Sequence, residues 1–131
     1  MTLSEALDLL AVRLSTIDGL NTTTDPNAEV AVPMAVVSDG EVEYNYTMKG
    51  GATVNYTVTV YVSKADEPAG LFEVRDYLSP YGDRSIRAAL DTPVDGDAIE
   101  TRAHVDTGQS GTQAGHIVAV FTGTVRIAAD I

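Results

Sequence analysis

Residues 54–63 read VNYTVTVYVS, and this stretch decides the architecture. Val54, Tyr56, Val58, Val60 and Val62 alternate with Asn55, Thr57, Thr59 and Tyr61. Side chains in a strand point to opposite faces with period two, so one side of this strand is buried and the other is polar. The apolar side needs a covering layer. The polar side is left for water, a lining or a joint between subunits.

Upstream, EVEYNYTM at 41–48 alternates again, with Val42, Tyr44, Tyr46 and Met48 opposite Glu41, Glu43, Asn45 and Thr47. Two alternating runs flanking Lys49–Ala52, with Gly50 and Gly51 between them, predict a long antiparallel hairpin. Its polar face carries Glu41 and Glu43 at one end. Before it, AVPMAVVS at 31–38 reads as a strand whose Pro33, lacking an N–H, belongs at its start or on an edge, and Asp39-Gly40 reads as a turn.

The cover for the apolar side is legible at the start of the chain, MTLSEALDLLAVRLSTIDGL. Thr2 and Glu5 have capping-box spacing, and Leu3, Leu7, Leu10, Leu14 and Ile17 recur three and four apart. Gly19 is a natural stop. The polar NTTTDPNAE that follows reads as a loop. After the hairpin, GLFEVRDYLSPYG places Leu71, Val74 and Leu78 at helical spacing with Phe72 alongside, and Ser79-Pro80 ends that helix. DRSIRAALD predicts a second short helix, with Asp83 near its start and Ile86 and Leu90 one turn apart.

Two strands close the pattern. In AIETRAHVDT, Ile99, Thr101, Ala103 and Val105 alternate with Glu100, Arg102, His104 and Asp106. GQSGTQAG reads as a mobile loop of small polar residues. HIVAVFTGTVRIAA is a long strand whose ends fit a half-buried pattern and whose middle is apolar on both faces. The order predicts one α+β domain over residues 1–131: an antiparallel or mixed twisted sheet with helices packed on one face.

Composition narrows the functions. The 131 residues contain 8 Lys and Arg against 19 Asp and Glu, a net charge of −11. Duplex DNA is held by several neutralised phosphates, so this chain is not expected to grip it. There is no cysteine, which removes disulfides, thiolate metal sites and cysteine nucleophiles. No apolar run reaches membrane-spanning length, and the opening segment lacks the pattern of a secretory signal. Three Asn-x-Thr matches, at Asn21, Asn45 and Asn55, therefore read as strand and turn chemistry.

Catalytic motifs do not emerge. Glu100, His104 and Asp106 share a strand face, and His116 approaches only if the last two strands pair suitably. Neighbours on one face stand about 6.5–7 Å apart, a long reach for shared ligation. No serine sits in a G-x-S-x-G elbow, and GQSGTQAG lacks the lysine and setting of a phosphate loop. No cofactor, metal or catalytic residue is expected. Asp83, Arg84 and Arg87 form a charged group suited to an intersubunit salt bridge.

Five segments taken in order resemble the tail terminator, or tail completion, proteins of long-tailed, non-contractile bacteriophages, especially those of actinobacteria. They are MTLSEALDLLAVRLSTIDGL, VPMAVVS, YTMKGGATVNYTVTVYVSKA, LFEVRDYLSPYGDRSIRAALD and AGHIVAVFTGTVRIAA. The resemblance implies a virion protein at the head-proximal end of the tail, assembled in the host cytoplasm. In that family a ring, expected to be a hexamer, caps the tail tube, ends its polymerisation and offers a surface to the head-side connector or neck protein. DNA then passes through the lumen without specific binding, and Glu41 and Glu43 are candidates for lining it. The polar stretches 21–30 and 106–115 are expected to order on docking. A neck protein of the same virion and a monomeric acidic binding module are the alternative readings.

Overall fold

In the computed structural model the first helix, α1 (Leu3–Leu14), begins where the capping box predicts. Thr2 Oγ1 accepts from the Glu5 N–H at 3.2 Å, and the Glu5 carboxylate accepts from the Thr2 N–H at 3.4 Å. Two N–H groups without helical partners are thereby satisfied. Ala6, Leu10 and Leu14 are fully buried on the inner face, and Ile17 continues that contact beyond the helix end. Gly19 turns the chain with φ +80°. The structure describes residues 2–25, 27, 29–44, 51–64, 69–92 and 103–127.

The strands are β1 (Asn21–Thr23), β2 (Met34–Tyr44), β3 (Ala52–Lys64), β4 (Ala103–Gln113) and β5 (His116–Ile127), in the spatial order β1-β2-β3-β5-β4. β1 runs parallel to β2, and all other pairings are antiparallel, so the sheet is mixed. The two remaining helices, α2 (Gly70–Leu78) and α3 (Ile86–Asp91), cross from β3 to the far edge. Val54, Tyr56, Val58, Val60 and Val62 all point into the core, as the alternation requires. They meet α1, α2 and α3 together with Ala35, Val37, Ala119 and Phe121. The fold is thus α+β, with β5 central between β3 and β4.

Four local expectations are corrected. Asp39-Gly40 is not a turn: β2 runs through it with a bulge, in which Gly40 and Glu41 together oppose Asn55. A Cβ on Gly40 would stand 3.2 Å from the Asn55 carbonyl oxygen, so glycine lets the strands stay close. GQSGTQAG is not a loop. Its residues up to Gln113 belong to β4, and only Ala114 and Gly115, both at positive φ, make the hairpin turn. That two-residue, positive-φ turn matches the twist of the flanking strands. The segment 21–30 contributes β1, held by the Asn21 side-chain amide donating to the Ala31 carbonyl at 3.1 Å.

In α2 the buried residues are Gly70, Val74 and Tyr77, while Leu71 and Phe72 face out. The apolar stripe read from the sequence was rotated by about one position, because Tyr77 rather than Leu71 fills the core. In α3, Ser85 caps the start by accepting from the Ala88 N–H at 3.1 Å, and Asp83 stands outside it. The Ser79-Pro80 stop is as expected, with Ser79 extended at ψ 142°. The hairpin of β2 and β3 pairs from Met34↔Tyr61 to Tyr44↔Ala52, and its expected tip at 45–50 lies outside the described residues.

Candidate assembly surface

All three helices lie on one side, so the opposite face of the sheet carries no helical layer among the described residues. Cross-strand partners share a face. Asn55, Thr57, Thr59 and Tyr61 on β3 therefore stand beside Thr124, Thr122, Val120 and Val118 on β5. Toward the β4 side the polarity continues, with Thr107 and Thr122 hydrogen bonded through their hydroxyls at 2.6 Å. At the turn end the Gln113 amide donates to the Tyr61 hydroxyl at 3.2 Å, and His116 meets the Tyr61 ring edge-on at 5.7 Å. This face is dominated by hydroxyls and amides, with a buried apolar spot where Met34 and Val118 flank Tyr61.

Glu41 and Glu43 are both exposed on the outer half of β2. Glu43 pairs with Thr53, which places it on the uncovered face, whereas Glu41 sits within the bulge. Asp83, Arg84 and Arg87 are exposed as well. Asp83 and Arg84 line a shallow depression of about 270 Å³ with Asp76 and Tyr81. Arg87 instead lines a cleft of about 650 Å³ along β4, with Leu78, Pro80, Asp106 and Phe121. Large apolar side chains on the helix side remain in solvent: Phe72 is 67% exposed and Tyr81 79%, with Arg75 stacked 5.6 Å from the Phe72 ring centre.

The register disposes of a site built from both histidines. Gln113 pairs with His116 at one end of the hairpin and His104 pairs with Thr124 near the other. At about 3.4 Å per residue the two positions are roughly 27 Å apart. Glu100 and Arg102 lie outside the described residues. Among the described residues no three His, Cys, Asp or Glu side chains gather as a metal site.

A buried charge escaped the sequence reading. Arg13 is 2% exposed and donates from Nη1 to the Leu90 carbonyl at 2.8 Å, closing the end of α3 from α1. Its position, three residues after Leu10 and four before Ile17, puts it on the apolar stripe. That spacing was the available signal. Close by, Tyr56 is buried and its hydroxyl has no hydrogen-bond partner among the described residues. Burial, reinforced by Asp91 and Asp106 and opposed by Arg13, pushes its ionisation far above the ordinary tyrosine range.

No protein-family model matches the chain, and no curated protein does. Among solved structures, a chain in the virion of a native gene transfer agent particle is similar, at 13% identity over 96% of this chain and 91% of that one, with a TM-score of 0.44. Similarity at that level carries no functional weight.

Proposed function

We propose that this chain is a structural virion protein, a tail terminator whose ring, a hexamer in this reading, caps the tail tube and presents a joining surface to the head-side connector. The observation that carries the proposal is the ordered set of five segments resembling tail terminators. The described residues of the segments fall on α1, the first half of β2, β3, the α2–α3 pair and β5. Physical features are compatible with it. A ring subunit needs surface beyond its own core, and this one has an uncovered sheet face and exposed Leu71, Phe72 and Tyr81. The chain exposes 7826 Å². Two joints of about 800 Å² each fit within that area.

In this reading the uncovered hydroxyl-rich face and Glu43 line the channel, with Glu41 at its margin. An acidic, lysine-poor lumen releases no counterions to DNA and so lets it slide. Asp83, Arg84 and Arg87 remain candidates for contacts between subunits. Electron microscopy of tails assembled with and without the protein tests the proposal. Tubes of abnormal length in its absence support termination. Tubes of normal length that fail to join heads assign it instead to the neck, and tails unchanged by its absence remove it from both.

A further inference from the structure

β1 takes the outer edge of β2 only at Met34–Val36, so residues 37–44 have no strand partner on that side among the described residues. From Asp39 onward this run is exposed, apart from the half-buried Val42. Such an edge presents backbone N–H and C=O groups with which an extended segment can pair. Its charge is of one sign. Asp39, Glu41 and Glu43 lie within it, and neither β2 nor the part of β3 paired with it, Ala52–Tyr61, contains Lys or Arg. Along the row of Glu43 the first cation is Arg126 on β5, beyond Thr53. Two strand spacings, about 10 Å, separate those backbones.

We infer that residues 37–44 of β2 receive an extended, cation-bearing segment of another protein, which adds to the sheet as a strand. The inference deepens the joining role proposed above and rests on it for the partner's origin alone. Charge selects the occupant. A second copy presenting its own β2 edge would set these carboxylates against the same acids, and like charges across a strand pair are destabilising. The bulge at Gly40 and Glu41 and the acidic side chains thus close the edge to copies of itself while leaving it open to a strand of opposite charge.

The register gives the pattern such a strand needs. Glu43 pairs with Thr53 and lies on the uncovered side, whereas Asp39, Val42 and Tyr44 pair with Tyr56, Val54 and Ala52 and lie on the helix side. Val42 already packs against the core, and Tyr44 stands 69% exposed beside it. The fitting segment therefore sets cations opposite Glu43 and Asp39 and apolar side chains opposite Val42 and Tyr44, extending the core row. In this chain only Arg84 and Arg87 stand close enough in sequence to serve as such a pair of cations, and Arg87 belongs to α3. The segment comes from a different protein. A cation beside Glu43 sits at the margin of the uncovered face and leaves its hydroxyl-rich centre as it is.

The test titrates the full chain, isotopically labelled for amide NMR, with the end-capped peptide Val-Lys-Val-Lys-Lys-Thr-Val. Its controls are the same peptide with an N-methylated backbone and the same peptide with glutamate for lysine. The protein variant is Asp39→Lys with Glu43→Lys, its fold checked by its own spectrum. The expected result is binding that shifts the amides of 37–44, is lost on N-methylation and on exchange of lysine for glutamate, and weakens about tenfold or more in the variant. An N-methylated peptide that binds as tightly reveals a charged patch without an added strand and overturns the inference. Shifts confined to β4 or to the uncovered face overturn it too, as does the absence of binding up to about millimolar peptide. Light scattering reads the ring separately. Rings formed by the parent and lost in the variant assign this edge to contacts between copies, which sinks the inference and keeps the ring. A parent that stays monomeric beside tail tubes removes the ring reading, and the peptide titration then decides the edge by itself.

Discussion

Replacing Gly70 by alanine should loosen the seat of α2 on the sheet. Gly70 is the first residue of that helix and is buried. A Cβ placed there would overlap Ser63 Oγ, and would stand 2.9 Å from Ile117 Cδ1 and 3.1 Å from Ser63 Cβ. The hydroxyl can rotate, since its hydrogen bond to the Lys64 carbonyl is a long one, at 3.4 Å. Ser63 Cβ cannot rotate away, because it is fixed to β3. The helix start must therefore retreat by a few tenths of an ångström. Overpacking of this kind costs about 1–3 kcal/mol. The better helix propensity of alanine returns at most about 1 kcal/mol. A net loss of about 1–2 kcal/mol is expected, which lowers the urea midpoint by roughly 1 M or less for a slope of about 2 kcal/mol/M. Adding Ser63→Ala removes the oxygen but keeps the Cβ, so it should recover part of the loss, and a double-mutant cycle should show coupling of about 0.5–1 kcal/mol. A Gly70→Ala protein as stable as its parent, or strict additivity in the cycle, refutes the close approach.

Arg13→Met keeps the bulk but leaves the Leu90 carbonyl without its charged donor; a loss of about 2–3 kcal/mol is expected in the same denaturation experiment. Tyr56→Phe removes a buried hydroxyl that has no partner among the described residues and should be neutral or stabilising by up to about 1–2 kcal/mol. The same residue sets an alkaline limit. Its folded-state ionisation lies above the unfolded value near 10, so its contribution is complete below pH of about 10. Above that the unfolded chain ionises first, and stability falls by up to about 1.4 kcal/mol per pH unit from this residue. Denaturation curves across that range should be less steeply pH-dependent for Tyr56→Phe, with a residual dependence from Tyr77, which burial raises in the same direction. Thr2→Ala removes the hydroxyl that accepts from the Glu5 N–H, while the backbone arm of the capping box survives, and should cost about 1 kcal/mol, read by thermal unfolding.

Where sequence and structure agree, one local signal dominated. The capping box and leucine stripe of α1 and the alternation of β3 each state a period and a boundary. β5 was legible as a long strand with an apolar middle on both faces, and its place between β3 and β4 explains that pattern. The failures share a cause of another kind. Gly40 and Gly108 were read as breaks, yet each is a glycine inside a strand where an added Cβ would be crowded: 3.2 Å from the Asn55 carbonyl oxygen in one case, 3.0 Å from the Phe121 ring in the other. An edge strand also needs no apolar face when its outer surface meets solvent, so 106–113 looked like a loop. In α2, tyrosine competed with leucine for the core, and spacing alone does not rank them. Arg13 was masked by its type, since a guanidinium on an apolar stripe is ordinarily assumed to bend back to water. The charges at 83–87 were legible as exposed, as their type suggests.

The central place of β5 bears on synthesis. The β2–β3 pair and β4 meet only through β5, whose residues run from His116 to Ile127. A ribosome must therefore pass residue 127 before the sheet can close, and a prematurely released fragment lacks the strand that unites its halves. Such a fragment exposes valine-rich β3 without its central neighbour and becomes a target for proteolysis. Copies cut short before the end of β5 are thereby set apart from finished ones.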